Sequence, residues 1–277
     1  MTGWPEVPRV RRSGLVRRPG TPLPRGRPRT VDATITTKGL PKLENRTIIA
    51  ERILEFNAYL STVQLELPPG WNLANPFSGP HQERVFEVTS SFYRRFYNDT
   101  SPRRLILGSS PARQGTAVTG VPFADAKLLE GESGTKIEGY KVGRGSSGFL
   151  DEVIAAYGGH EPFYADFVMN FVCPLGIIRT NDKGREVNAN YYESRELLES
   201  VREFVVEAVR RQTEIGIDTS VCYCIGSGGN YKVLSEINRR QRFFDRIVPL
   251  AHPRYIAQYN PTRTGEFVDK YLQALRR

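Results

Sequence analysis

Four short apolar runs, each cut off by glycine or proline and separated by stretches of helical periodicity, set the tightest limit on how this chain folds. The runs are Leu105-Ile106-Leu107, about residues 164 to 172, Ser220 to Gly226, and Arg246 to Leu250. The first is too short and too uniformly apolar for a surface helix, and it reads as a strand buried on both faces. It breaks at Gly108, the second run at Cys173-Pro174, the third at Gly226-Ser227-Gly228-Gly229, and the fourth at His252-Pro253. Between the second and third lies the strongest helical pattern, Glu193 to Glu214, with Leu197, Leu198, Val201, Val205 and Val209 as its apolar stripe. Alternating strand and helix calls for a parallel sheet with crossovers on its faces. The expected fold class is therefore α/β: a three-layer α/β/α sandwich around a central, mainly parallel four-stranded sheet.

Further helices are expected over residues 46 to 63, capped by Asn45, and over about 82 to 98, 147 to 157 and 230 to 241, with a last one from about 265. Residues 131 to 148 are rich in Gly, Ser and Lys and read as a mobile connection. Residues 1 to 44 are rich in Pro, Gly and Arg with little to bury, so the expected organisation is a disordered basic tail followed by one domain over residues 45 to 277.

The formal net charge of +9 is concentrated in that tail. Residues 1 to 30 hold eight arginines against Glu6, so the rest of the chain is nearly neutral. A high pI therefore says little about a nucleic-acid face on the domain, and the tail itself reads either as a solvated segment or as a phosphate-binding arm. No window approaches the roughly 18 apolar residues of a membrane span, and the N-terminus lacks the apolar core of a secretory signal. Three cysteines, Cys173, Cys222 and Cys224, form no disulfide framework, and cytoplasmic residence is expected. Neither the histidines nor the cysteines have metal-ligand spacing, so no metal is expected.

Polar residues fall at the ends of the apolar runs: Ser110, Asn170, Ser227 and His252. In an open parallel sheet all those strand ends gather on one side, where ligands bind. The segments carrying them are GSSPARQGTAVTGVPFAD (108 to 125), MNFVCPL (169 to 175) and AHPRYIAQYN (251 to 260). Together, in order and spacing over about residues 45 to 275, they resemble the uracil-DNA glycosylase superfamily, most closely its single-strand-selective monofunctional branch. The first resembles the family's water-activating loop, the second its base-reading Asn near Cys-Pro-Leu, and the third its His-Pro motif with a DNA-penetrating loop.

The resemblance implies an enzyme that flips a deaminated base out of DNA and hydrolyses its glycosidic bond, acting as a monomer near the nucleoid without a cofactor. It implies that Phe123 stacks on the flipped base, in a pocket shaped by Gly108, Ser109 and Pro111. Asn170 would read the base edge, its amide offering one donor and one acceptor to uracil. Asp166, counted onto the same face of the second strand, would orient that amide. His252 would donate to the uracil oxygen where negative charge builds as the bond breaks. Pro253, Arg254 and Tyr255 would contact DNA, with Arg254 or Tyr255 filling the gap left by the base. Arg103, Arg104, Lys232, Arg239 and Arg240 are candidates for phosphate contacts. No lysine stands in the three motifs to form a Schiff base, which implies a monofunctional enzyme.

Ser110 departs from the pattern, because the family has Asn or Asp there. A hydroxyl holds water by hydrogen bonding but is no base at neutral pH. Asp125 is the nearest carboxylate in the motif and a candidate substitute. Three other readings stay open: a preference for xanthine or hypoxanthine, a DNA-binding protein that has lost catalysis, and a sheet protein acting on a small ligand.

Overall fold

The computed structural model describes residues 47–124, 126–134 and 147–276. The basic tail, Asn45, Asp125 and most of the Gly/Ser/Lys-rich connection lie outside those residues. The elements run α1 (Ile49–Ser61), β1 (Trp71–Ala74), α2 (Gln82–Phe96), β2 (Arg103–Gly108), α3 (Thr116–Thr119), α4 (Ala126–Ser133), α5 (Ser147–Tyr157), α6 (His160–Asp166), β3 (Phe167–Phe171), β4 (Gly176–Thr180), β5 (Glu186–Ala189), α7 (Arg195–Thr213), β6 (Ile217–Ile225), α8 (Gly229–Gln241), β7 (Arg246–Leu250), α9 (Pro253–Tyr259) and α10 (Thr264–Leu275).

The central sheet has the order β3-β2-β6-β7, and every neighbouring pair is parallel. The expected α/β fold with four parallel strands is what forms. Leu105, Ile106, Leu107, Cys222, Tyr223 and Cys224 are buried along its two inner strands, because helices cover both faces. Helix α7 starts where a side chain can cap it: Ser194 Oγ accepts the Leu197 N–H at 3.1 Å. Its buried face includes Leu197, Val201, Phe204, Val205, Ala208 and Val209, while Leu198 lies half out.

Helix α1 begins three residues later than a cap at Asn45 would have it. Its first N–H groups are met by the chain entering β2: Ile49 N–H donates to the Asp99 carbonyl at 2.7 Å and Ala50 N–H to the Tyr97 carbonyl at 3.0 Å. Tertiary carbonyls replace a side-chain cap there.

A second sheet, β1-β4-β5, is antiparallel and was not expected. Its strands are short and carry polar or half-exposed residues, so no apolar run announces them. The strand expected over 164 to 172 is also two elements. Helix α6 ends on Asp166, and only Phe167–Phe171 is strand. Asp166 therefore stands at the far end of β3 from Asn170's neighbours in the motif. It accepts from the Tyr157 hydroxyl and lies 4.0 Å from Arg104, so it orients nothing at the strand's carboxyl end.

Candidate active site

The carboxyl ends of the four parallel strands form the floor of one cleft. Leu107 pairs with Asn170, Gly108 with Phe171, Leu107 with Cys224, and Ile225 with Leu250. Beyond the strands the pairing continues: Val172 N–H donates to the Gly108 carbonyl at 2.8 Å and Cys173 N–H to the Ser109 carbonyl at 3.0 Å. Gly226 N–H donates to the Leu250 carbonyl at 2.9 Å. Three inter-strand spacings, about 14 Å, then separate the β3 and β7 ends. Gly108, at the end of β2, stands one strand in from the β3 edge.

Gly108 is required by what covers it. A β-carbon there would stand 2.6 Å from Phe123 Cζ and 2.8 Å from Phe171 Cδ1. The two rings pack with centroids 4.8 Å apart and planes 31° apart. Phe123 is half-buried and has φ of 59°, a left-handed conformation uncommon for a phenylalanine. The preceding turn is closed by Gly120, also left-handed, whose missing side chain leaves room for Val85 and Thr89 of α2.

The loop between β2 and α3 is tied to the second sheet. Ser109 Oγ donates to Asn190 Oδ1 at 3.1 Å, and Arg113 N–H donates to Asn188 Oδ1 at 2.8 Å. Pro111 is buried, with its carbonyl against Gly176 at the start of β4. Ser110 Oγ, between them, is buried and has no hydrogen-bond partner among the described residues. Ordinarily such a hydroxyl costs stability, so its retention at a strand end marks it for a ligand atom.

Asn170 is buried, and its Oδ1 accepts the Phe171 N–H at 2.9 Å. Because β3 is the edge strand, that N–H points away from β2 and the side chain satisfies it. The bond fixes the amide's orientation and leaves Nδ2 as a donor without a partner among the described residues. On the same edge, Gln212 of α7 donates to the Phe171 carbonyl at 3.1 Å.

His252 caps α9. Its Nδ1 accepts the Arg254 N–H at 3.1 Å, so the neutral ring carries its proton on Nε2. The residue is exposed at the rim, with Cδ2 facing Gly226. Partial burial of the ring and, after it, the Arg254 charge hold its pKa below the ordinary histidine value. Pro253 is buried at the first turn of α9, whereas Arg254 and Tyr255 face solvent. The Tyr255 and Tyr259 rings lie 5.7 Å apart.

Of the expected phosphate contacts, Lys232 lies exposed on α8, near the glycine turn after β6. Arg103 is fully buried at the opposite end of β2 and paired with Asp99 at 2.7 Å. Arg104 packs over the Phe167 ring and donates to the Leu275 carbonyl. Arg239 and Arg240 sit in the last turn of α8, with Arg240 paired to Glu236. These four are at the wrong end of the elements that carry them. His160 opens α6 and stacks on Tyr164.

Sequence reasoning did not find Tyr191, Tyr192 or Asn230. Tyr191 donates to Asn230 Oδ1 at 3.0 Å, and Asn230 Nδ2 donates to the Ile225 carbonyl at 3.0 Å. The Tyr192 ring lies 2.5 Å from where a β-carbon on Gly229 would stand, and Tyr192 follows close after Asn190, which accepts from Ser109. These residues clamp the β2 loop to the β6 turn, and the glycines of GSGGN were the available sign of that close approach. Among the described residues no group of three or more His, Cys, Asp or Glu is placed to hold a metal, and no helix is long and apolar enough to cross a membrane.

The Uracil DNA glycosylase superfamily profile matches residues 95–276. The crystal structure of wild-type SMUG2 from Pedobacter heparinus is similar, with a TM-score of 0.77 and 40% sequence identity, covering 83% of this chain and 97% of that one. No curated protein matches.

Proposed function

From the premise that this chain belongs to the uracil DNA glycosylase superfamily, we propose that it is a monofunctional DNA glycosylase, acting as a monomer in the cytoplasm on a deaminated base, uracil first, and leaving an abasic site. The observation that carries the reading is the His252 cap bond. By engaging Nδ1 it leaves Nε2–H as a fixed donor at the strand ends, where a bond-breaking oxyanion needs one.

The flipped base lies on Phe123, with Asn170 Nδ2 donating to its O4. As the bond between C1′ and N1 breaks, the electron pair passes into the ring and onto O2, facing His252. Water then adds its oxygen to C1′ and gives up a proton. Ser110 Oγ accepts a hydrogen bond from that water but does not take its proton at neutral pH. Asp125 is the proposed acceptor. An unchanged rate and pH profile in Asp125→Asn would remove it from the scheme. Pro253, Arg254 and Tyr255 meet the strand beside the vacated base.

A second reading is favoured by the unpartnered Ser110 hydroxyl. In that reading the protein acts on xanthine or hypoxanthine in preference to uracil, or binds DNA with little turnover. One experiment separates these: oligonucleotides holding a single uracil, hypoxanthine or xanthine, single- and double-stranded, are incubated with the protein and then cleaved with alkali. Uracil strands that stay intact while bound would overturn the primary reading.

A further inference from the structure

A half-open cavity of ≈ 340 Å³ lies between the loop after β1, the start of α2, and α3. Its walls are largely apolar, built from Pro76, Pro80, Val85, Val88, Ala117 and Val118. Two of the polar side chains in those walls, Asn75 and Thr119, are already engaged. Asn75 donates to the Leu60 carbonyl at 2.8 Å and accepts the Phe77 N–H at 3.0 Å, and Thr119 Oγ1 accepts the Val121 N–H at 3.2 Å. The cavity is therefore preformed and offers its occupant mainly apolar contact.

Two cationic or titratable side chains, Arg84 and His81, line its open side. Both are exposed, and neither has a partner among the described residues. An apolar slot beside an unpaired guanidinium suits a base with a phosphate attached. A basic segment such as residues 1 to 30 has the wrong charge for that rim.

The slot is tied to the candidate active site through one loop. Ala117, Val118 and Thr119 form its wall, and Phe123 follows Thr119 by four residues, a span that cannot exceed about 14 Å. On the other flank, Ala74 and Pro111 both crowd Gly176, and Ala74 adjoins Asn75 of the cavity.

We propose that this cavity is a second nucleobase site: it receives the base of a nucleotide near the flipped one on the same strand, with its phosphate on Arg84. The inference rests on the glycosylase reading. Because its walls are largely apolar, with Asn75 and Thr119 engaged inside the protein, the site takes up a base with little choice among the four. A paired neighbour would have to be extruded as well, at a cost of a few kcal/mol, so the site is used on single strands.

The test uses the whole protein and short single strands with one uracil, in which a base-free tetrahydrofuran unit replaces one neighbour at a time. At one position the replacement lowers kcat/KM and weakens binding by about tenfold, the order expected for losing the burial of a base against apolar walls, while all four bases are nearly equivalent there. Val118→Trp fills the slot, costs wild-type-like strands about the same factor, and makes that position indifferent. Arg84→Ala, an exposed change that keeps the fold, reduces the slope of log affinity against log salt by about one phosphate. Base-free units tolerated at every position would overturn the proposal, as would an unchanged salt slope in Arg84→Ala. Strands that bind with the predicted position dependence but yield no abasic site would overturn the glycosylase reading and leave the second site standing.

Discussion

The Phe123 ring occupies the space where a side chain on residue 108 would be, with Cζ 2.6 Å from that β-carbon position. The end of β2 and the floor of the cleft are thus one unit: the ring reaches the strand end only because residue 108 is glycine. Phe123 holds that place in a left-handed backbone conformation, an arrangement the rest of the loop has to enforce.

Gly108→Ala therefore forces Phe123 off its seat. Overpacking of this kind costs about 1–3 kcal/mol, and melting should fall by a few degrees. Displacement of the floor by even an ångström lowers single-turnover excision by about a hundredfold. Adding Phe123→Leu relieves the closer clash but not the one with Phe171, so the melting temperature recovers in part and the rate does not. Calorimetry and rapid-quench kinetics on the two variants check both halves.

His252 serves α9 and the cleft at once, and two substitutions separate the roles. His252→Ala loses the cap, worth about 1 kcal/mol, and slows single-turnover excision at least about tenfold, or about 1.4 kcal/mol. His252→Asp keeps an acceptor for the Arg254 N–H, so α9 stays stable, yet it sets a negative charge against the developing oxyanion and is slower still. Because the folded pKa is lowered, the unfolded chain binds the proton more readily. The stability His252 contributes is present above its unfolded value of about 6.5 and is lost as pH falls through the folded one. An NMR titration of the imidazole is expected to show its midpoint below that of a free histidine.

Ser110 sets stability against activity. Its buried hydroxyl has no partner among the described residues, so Ser110→Ala relieves a penalty of about 1–3 kcal/mol and leaves the melting temperature equal or higher. The same change removes the water's hydrogen-bond acceptor and lowers excision. Ser110→Asn restores an amide and raises uracil excision above that of the wild type. An alanine variant as fast as wild type would remove Ser110 from the reaction.

The central sheet was legible because β2 and β6 are buried on both faces, and that condition writes itself as an unbroken apolar run. β1 and β5 escaped for the converse reason, since Trp71, Asn72 and Glu186 belong to short, half-wet strands that look like loops, and the buried stretch of β4 is only Gly176-Ile177-Ile178, too short to stand out. Arg103 and Arg104 read as surface cations since arginine is seldom buried, and nothing local reveals Asp99 or the Phe167 ring that receive them. Motif positions located Phe123, Asn170 and His252 at the strand ends. The supporting contacts of Asn190, Tyr192 and Gln212 come from elements far away in sequence, and no spacing encodes them.

Asn170 gives the cleanest separation of fold from recognition, because its two amide atoms do different work. Oδ1 satisfies the Phe171 N–H at the open edge of the sheet, and Nδ2 alone faces the cleft. Asn170→Asp keeps an oxygen for that N–H but replaces the outward donor with an acceptor that repels the O4 of uracil. The variant should fold, retain its affinity for strands without a flipped base, and lose about 2 kcal/mol of transition-state binding to uracil, as expected when a hydrogen bond becomes a repulsion. Asn170→Leu, by contrast, leaves the Phe171 N–H unpaired and lowers the melting temperature as well. Equal losses of stability in both variants would mean that the amide is structural and reads no base.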